Sequence, residues 1–134
     1  MVSGERTVPT RTKITNETSP INLEELARLG GAKDSNAAED FVKEVIELFV
    51  HLAPKLYSAA REAFVAGDPQ SIARAAHKLK SQGAYFGAAR LVQVCQKLEQ
   101  QGYASQLARC ERLLDDLEDE LDRVVAALET HRQA

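Results

Sequence analysis

At 134 residues, 44% hydrophobic and 28% charged, the chain is long enough for one domain whose core needs no disulfide or metal staple. A net charge of −3 and a pI near 5.6, with no long run of Lys or Arg, argue against a nucleic-acid partner. No apolar run approaches the roughly 20 residues of a membrane span and no apolar core of a secretion signal opens the chain, so a soluble, cytoplasmic monomer is expected, with no membrane partner.

Residues 1–20, MVSGERTVPTRTKITNETSP, are rich in Thr and Ser, carry two prolines and show no sustained periodicity. They read as a flexible arm or linker ahead of a domain spanning 21–134. Asn16-Glu17-Thr18 is a glycosylation sequon by letter only, since nothing points to secretion. After residue 22 Ala, Leu, Glu, Lys, Arg and Gln dominate while Val and Ile are sparse, which favours helix over sheet.

Asn22 suits the cap of a short helix, LEELARL, that Gly30-Gly31 ends. Asp34, Ser35 and Asn36 supply capping residues for the next, with Glu39 three after Asn36 as in a capping box. Phe41, Val45, Leu48, Phe49, Leu52, Leu56, Ala60 and Phe64 then recur with the period of one long amphipathic helix. Pro54 predicts a kink or short break within it, because proline removes a donor and crowds the preceding turn. Gly67-Asp68-Pro69 reads as stop and restart: glycine past the helix end, aspartate as the next cap, proline in the first helical position.

A third helix is predicted from Pro69 to about Tyr85. Gly87 then allows the turn into a fourth, with Leu91, Val94, Cys95 and Leu98 on one face and Gly102 closing it. In the last helix Leu107, Cys110, Leu114, Leu117, Leu121, Val124 and Leu128 alternate three and four apart, an unbroken seam. Four such helices with short connections predict an all-α, antiparallel four-helix bundle carrying one short extra N-terminal helix. Asp115, Asp116, Glu118, Asp119, Glu120 and Asp122 read as a solvated acidic face, because calcium loops need glycine and non-helical spacing. Cys95 and Cys110 fit neither a disulfide framework nor a CxxC metal pair, and their apolar positions predict packing in a reducing compartment.

The chemistry concentrates around His77. The inward stripe of the third helix would be Ile72, Ala75, Ala76 and Leu79 with Gly83 or Phe86, which turns His77 outward. Its neighbours one and two turns away are Ala73, Arg74, Lys80, Ser81 and Ala84: two cations among small residues. A neutral imidazole is a good nitrogen nucleophile near pH 7 if its electrophile can come close, and small flanking side chains allow that approach. For a phosphoryl electrophile Lys80, one turn along, would supply the cation that the equatorial oxygens need. A lone helical histidine is most often only a surface residue, as His51 and His131 illustrate. No second His, Cys, Asp or Glu stands three or four residues from His77 to make a metal pair, and no hydroxyl nucleophile with an orienting acid is identifiable.

The segment AAHKLKSQGAYFGAARLVQVCQKLE resembles the signature of histidine-containing phosphotransfer (HPt) domains, with His77, Leu79, Lys80, Gly87, Ala88, Leu91, Cys95, Leu98 and Glu99 in register. LARLGG, FVKEVIELFVHLAPKL and AFVAGDPQSIARAAH extend the resemblance to about residues 22–129. It implies a four-helix bundle in which His77 accepts a phosphoryl group and Lys80 stabilises it, the donor and acceptor being aspartates of response-regulator receiver domains fed by a hybrid sensor histidine kinase. The chain itself would need no cofactor, magnesium arriving with the receiver. Absence of a Gly-rich nucleotide loop makes it a phosphocarrier and not a kinase. The docking face would include Ala73, Arg74, Ser81 and Ala84. Ser81 stands where the family usually has glycine, and its hydroxyl could reach the imidazole or the phosphoryl group. Two other readings remain: a helical adaptor without chemistry, and a phosphotransfer module cut from a larger sensor or chemotaxis kinase.

Overall fold

The computed structural model describes residues 19–29 and 35–133, apart from the side chains at 25, 27, 29 and 35. Five helices follow in chain order: α1 (Glu24–Leu29), α2 (Ser35–Val65), α3 (Pro69–Tyr85), α4 (Ala89–Tyr103) and α5 (Leu107–Gln133). Short turns make successive long helices antiparallel. Contacts between α2 and α3, α3 and α4, α4 and α5, and α5 and α2 close the ring of a four-helix bundle, while α1 rests on α2. The arm and its sequon lie almost wholly outside the described residues, as do Gly30-Gly31 and Asp34.

The α5 seam is buried from Cys110 through Leu114, Leu117, Leu121 and Val124 to Leu128. Opposite it stand Ile72, Ala76 and Leu79 of α3, Leu91, Cys95 and Leu98 of α4, and Val42, Ile46, Phe49 and Ala53 of α2. Phe49 and Phe86 meet at 5.0 Å between ring centres, tilted by 60°, a favourable edge-to-face geometry that seals one end. Both cysteines are free and buried.

The restart at Gly67-Asp68-Pro69 has the expected form. Gly67 takes φ of 71°, Asp68 accepts from the Ser71 backbone N–H at 3.2 Å, and Pro69 opens α3. Asn22 accepts from the Glu24 N–H at 3.1 Å, and its own N–H donates to the Phe86 carbonyl at 2.7 Å, tying the start of the domain to the α3–α4 turn. That turn depends on Gly87, at φ 60°: a Cβ there would collide with the Asn22 backbone.

Five expectations are corrected. The short break expected at Pro54 is absent, since the helical pattern runs through it and the missing donor costs one bond in a 31-residue helix already held by packing. The α2 core line is Val42, Ile46, Phe49 and Ala53, so Leu48 and Leu52 face solvent. Helix α2 starts at Ser35, which moves Asn36 from the cap into the first turn. Glu120 leaves the acidic face and is buried at 8% exposure. Gly102 does not close α4: the helix runs on to Tyr103, Ser105 takes the positive φ of 58°, and Gly102 is buried at a helix crossing instead.

That crossing is tight. A Cβ on Gly102 would lie 2.7 Å from the Pro69 carbonyl oxygen and 2.9 Å from the Ala73 Cβ, atoms that cannot swing aside. Helix propensity alone favours alanine by up to about 1 kcal/mol, but overpacking opposes it with about 1–3 kcal/mol, so Gly102→Ala is expected to lower stability in urea unfolding. An unchanged or raised midpoint would mean that the helices move apart at little cost.

Candidate functional site

Small residues on facing sides bring α3 and α4 together. Gly102 meets Pro69 and Ala73 at one end of the contact, and a Cβ on Gly83 would lie 3.0 Å from Leu91 at the other. Between these points α4 projects Glu99 toward α3. Its Oε2 lies 2.8 Å from His77 Nδ1, and its Oε1 accepts from Lys80 Nζ at 2.6 Å. One carboxylate therefore spans the histidine and the lysine, which the three-residue spacing places on neighbouring rows of α3.

Burial raises the Glu99 carboxyl pKa, but hydrogen bonds and charge from Lys80 and His77 outweigh it and hold the group below its ordinary range. Glu99 is thus an anion near neutral pH and can only accept. A neutral His77 must then carry its proton on Nδ1, which leaves the lone pair on Nε2. The side chain is 56% exposed while that of Glu99 is 15% exposed, so the orienting acid is covered and the ring it orients is open. Among the described residues neither His51 nor His131 has a carboxylate partner.

The other residues singled out in the sequence divide. Arg74 is exposed and donates to Ser71 Oγ at 2.7 Å, and Ser71 in turn donates to the Asp68 cap at 2.6 Å. Ala84 is exposed. Ser81 is exposed too, and its hydroxyl donates back to the His77 carbonyl at 3.2 Å, one turn below, so it engages the backbone and not the imidazole. Ala73 is fully buried against Gly102 and is removed from the exposed face, because α4 comes closer on that side than helix phase alone reveals.

Two features were missed. Glu99 stood in register with the family signature, but a residue 22 positions from His77 cannot be paired with it by helical spacing. The second is apolar. Leu48 is 69% exposed, and with Phe41, Val45, Leu26, Gln82 and Tyr85 it lines a shallow groove of about 260 Å³ between α2 and α3, beyond Ser81 from His77. No group of three or more His, Cys, Asp or Glu among the described residues could hold a metal ion, and no helix among them is long and apolar enough to cross a membrane.

The sequence profile described as Hpt domain matches residues 44–127, a span that includes His77, Lys80 and Glu99. No curated protein matches the sequence. The fold is similar to the crystal structure of histidine-containing phosphotransfer protein B from Pseudomonas aeruginosa PAO1, with a TM-score of 0.75 and 23% identity over 87% of this chain and 96% of that one.

The Glu99 bridge has a pH signature. Because its carboxyl titrates lower when folded than when unfolded, it adds stability above the unfolded pKa and loses it as pH falls through the folded one. Glu99→Gln is expected to cost about 1–2 kcal/mol at pH 7, and less as acid titrates the parent's carboxylate. Denaturant unfolding of both proteins between neutral and acid pH checks it: a difference that stays constant or grows in acid would exclude the ionised bridge.

Proposed function

Because the chain belongs to the Hpt domain family, whose members carry phosphoryl groups on histidine in phosphorelays, we propose that His77 is the phosphoryl acceptor and that it exchanges the group with aspartates of response-regulator receiver domains. The observation that carries this is the Glu99 bond to Nδ1, which aims the Nε2 lone pair outward from a half-exposed ring. In the forward step Nε2 attacks the phosphorus of a receiver aspartyl phosphate. The Nε2–P bond forms, the bond from phosphorus to the aspartate oxygen breaks, and its electron pair returns to the aspartate carboxylate.

Nδ1 keeps its proton throughout, so positive charge develops on the ring as the new bond forms. Glu99 lies 2.8 Å away, a fixed anion where that charge appears. Lys80, one helical turn from His77, donates to the same carboxylate at 2.6 Å, and its ammonium offers a counter-charge to the equatorial oxygens. Magnesium comes with the receiver, and its partner's kinase supplies the phosphate.

The docking face is formed by Arg74, Ser81 and Ala84 around the ring, continued by Tyr85, Leu48 and Leu52, whose exposed apolar surface a receiver would cover. Ala73 is not part of it.

His77→Gln is expected to abolish labelling by a phosphorylated receiver while leaving the melting profile nearly unchanged, an exposed substitution costing under about 0.5 kcal/mol apart from the lost Glu99 bond. Label retained in His77→Gln and lost in His51→Gln or His131→Gln would overturn the assignment. Lys80→Ala is expected to slow transfer by about one to two orders of magnitude, or about 1.4–2.7 kcal/mol of barrier. Ser81→Trp is expected to weaken receiver binding and transfer together, since an indole there would stand in the approach to Nε2. Parent-like titration and transfer by that variant would place the docking face elsewhere.

A further inference from the structure

His77 stands between two flanks of unequal chemistry. Helix phase puts Ala73 and Lys80 on one side of it and Arg74 and Ser81 on the other. The first side is the one that α4 covers: Ala73 is buried against Gly102, and Lys80 is engaged by Glu99 at 2.6 Å. The second side is exposed. Ser81 has turned its hydroxyl back to the His77 carbonyl at 3.2 Å, so of the two residues there Arg74 alone offers donors to a group on the ring.

Arg74 is tethered by a neutral group. Its Nη2 donates to Ser71 Oγ at 2.7 Å, and Ser71 is itself fixed by Asp68, to which its hydroxyl donates at 2.6 Å and its N–H at 3.2 Å. Among the described residues the guanidinium forms no ion pair, and most of its five N–H donors are unused. Lys80 is the contrasting case, because an ionised carboxylate matches its charge before any phosphate arrives. A phosphoryl group on Nε2 brings a dianion to a half-exposed ring, and the Lys80–Glu99 pair is neutral as a unit. Residues three apart on a helix are surface neighbours, and the planar fork of arginine matches phosphate oxygens. Exchanging a neutral hydrogen bond for a charge-assisted one favours the move.

We propose that Arg74 is a second phosphoryl-binding cation: when Nε2 of His77 carries the group, the guanidinium leaves Ser71 and donates to the phosphoryl oxygens from the flank opposite Lys80. The proposal rests on the reading of His77 as the acceptor. While the ring is unmodified, Ser71 holds the guanidinium one turn away along α3.

The test labels the protein with phosphoramidate, a small P–N donor, so that no receiver is needed. Nε2 attacks the phosphorus, the P–N bond breaks, and ammonia leaves with its electron pair. The phosphorus NMR resonance of the phosphohistidine is then followed against pH. A guanidinium on the oxygens favours the doubly ionised phosphoryl group, so the second ionisation constant is expected to fall about three- to tenfold in Arg74→Gln, moving the midpoint up. Arg74→Lys keeps the charge without the fork and is expected to lie between the two. Ser71→Ala removes the tether alone and is expected to leave the midpoint at or below the parent's. Lys78→Gln removes the same charge from the adjacent residue, which does not face His77, and is expected to change the constant less than about twofold. Lys80 and Glu99, the charged groups beside the ring from α3 and α4, are the same in all these variants.

A parent midpoint in Arg74→Gln would overturn the proposal. So would equal shifts in Arg74→Gln and Lys78→Gln, which would assign the effect to the general field of the surface. A Ser71→Ala midpoint raised as far as that of Arg74→Gln would also overturn it, because the effect would then pass through the helix cap. A parent without a phosphohistidine resonance, or a resonance that survives in His77→Gln, would defeat the reading of His77 and this proposal with it. A His77 resonance that ignores Arg74 would defeat this proposal alone.

Discussion

The close approach of α3 and α4 is the constraint on which the rest of the site depends. A carboxylate on one helix can hold both a ring nitrogen and an ammonium on the other only if the backbones stand near enough for short bonds of 2.8 and 2.6 Å. Gly83 and Gly102 set that spacing from the two ends, each where a Cβ would press on the neighbouring helix. Glycine in a helix interior weakens it by roughly 0.5–1 kcal/mol. Packing at the crossing offsets that cost, and the gain appears in chemistry as much as in stability: Glu99 fixes the proton on Nδ1 without any loop having to close.

Features set by local rules were legible in the sequence. The Asp68 cap, the Gly67 stop and the α5 seam each depend on residues within one or two turns, and all stand as read. His77 pointed outward for the same reason: helix phase is local. Features set by how far one helix stands from another were not legible. Ala73 lies on the edge of the His77 face by phase but is covered because α4 crosses over it at Gly102. Gly102 itself looked like a stop, since a glycine at a crossing and a glycine at a helix end are the same letter. In α2 the apolar residues are wide enough to fill two adjacent stripes, and only the partners of Phe49 and Ile46 decide which stripe is inward, leaving Leu48 outside.

Ser81 illustrates how a small departure from a family pattern is absorbed. The family's glycine leaves the helix surface bare one turn from the histidine, and a serine there adds a hydroxyl that would compete for the imidazole if it were free. It is not free, because it bonds back to the His77 carbonyl. Serine hydroxyls in helices commonly find this acceptor, which satisfies the group locally and keeps it low on the surface. The added bulk is one hydroxymethyl group, whose oxygen is turned back along the helix to the His77 carbonyl.

A phosphoryl carrier needs one nucleophile at its surface and no competitor near it, and Cys95 shows how the core meets the second requirement. It is fully buried on α4, one turn from Glu99. Burial raises its thiol pKa to about 12, the negative charge of Glu99 pushes in the same direction, and Lys80 opposes more weakly. The reactive form of cysteine is the thiolate, so at neutral pH this thiol is inert and serves as a small apolar filler. Glu99 therefore acts in opposite directions on its two neighbours. Toward Cys95 it is a repelling charge that keeps a proton in place. Toward His77 it is a hydrogen-bond acceptor that keeps a proton on the inner nitrogen and leaves the outer one free, so one half-buried carboxylate quiets the thiol and orients the imidazole.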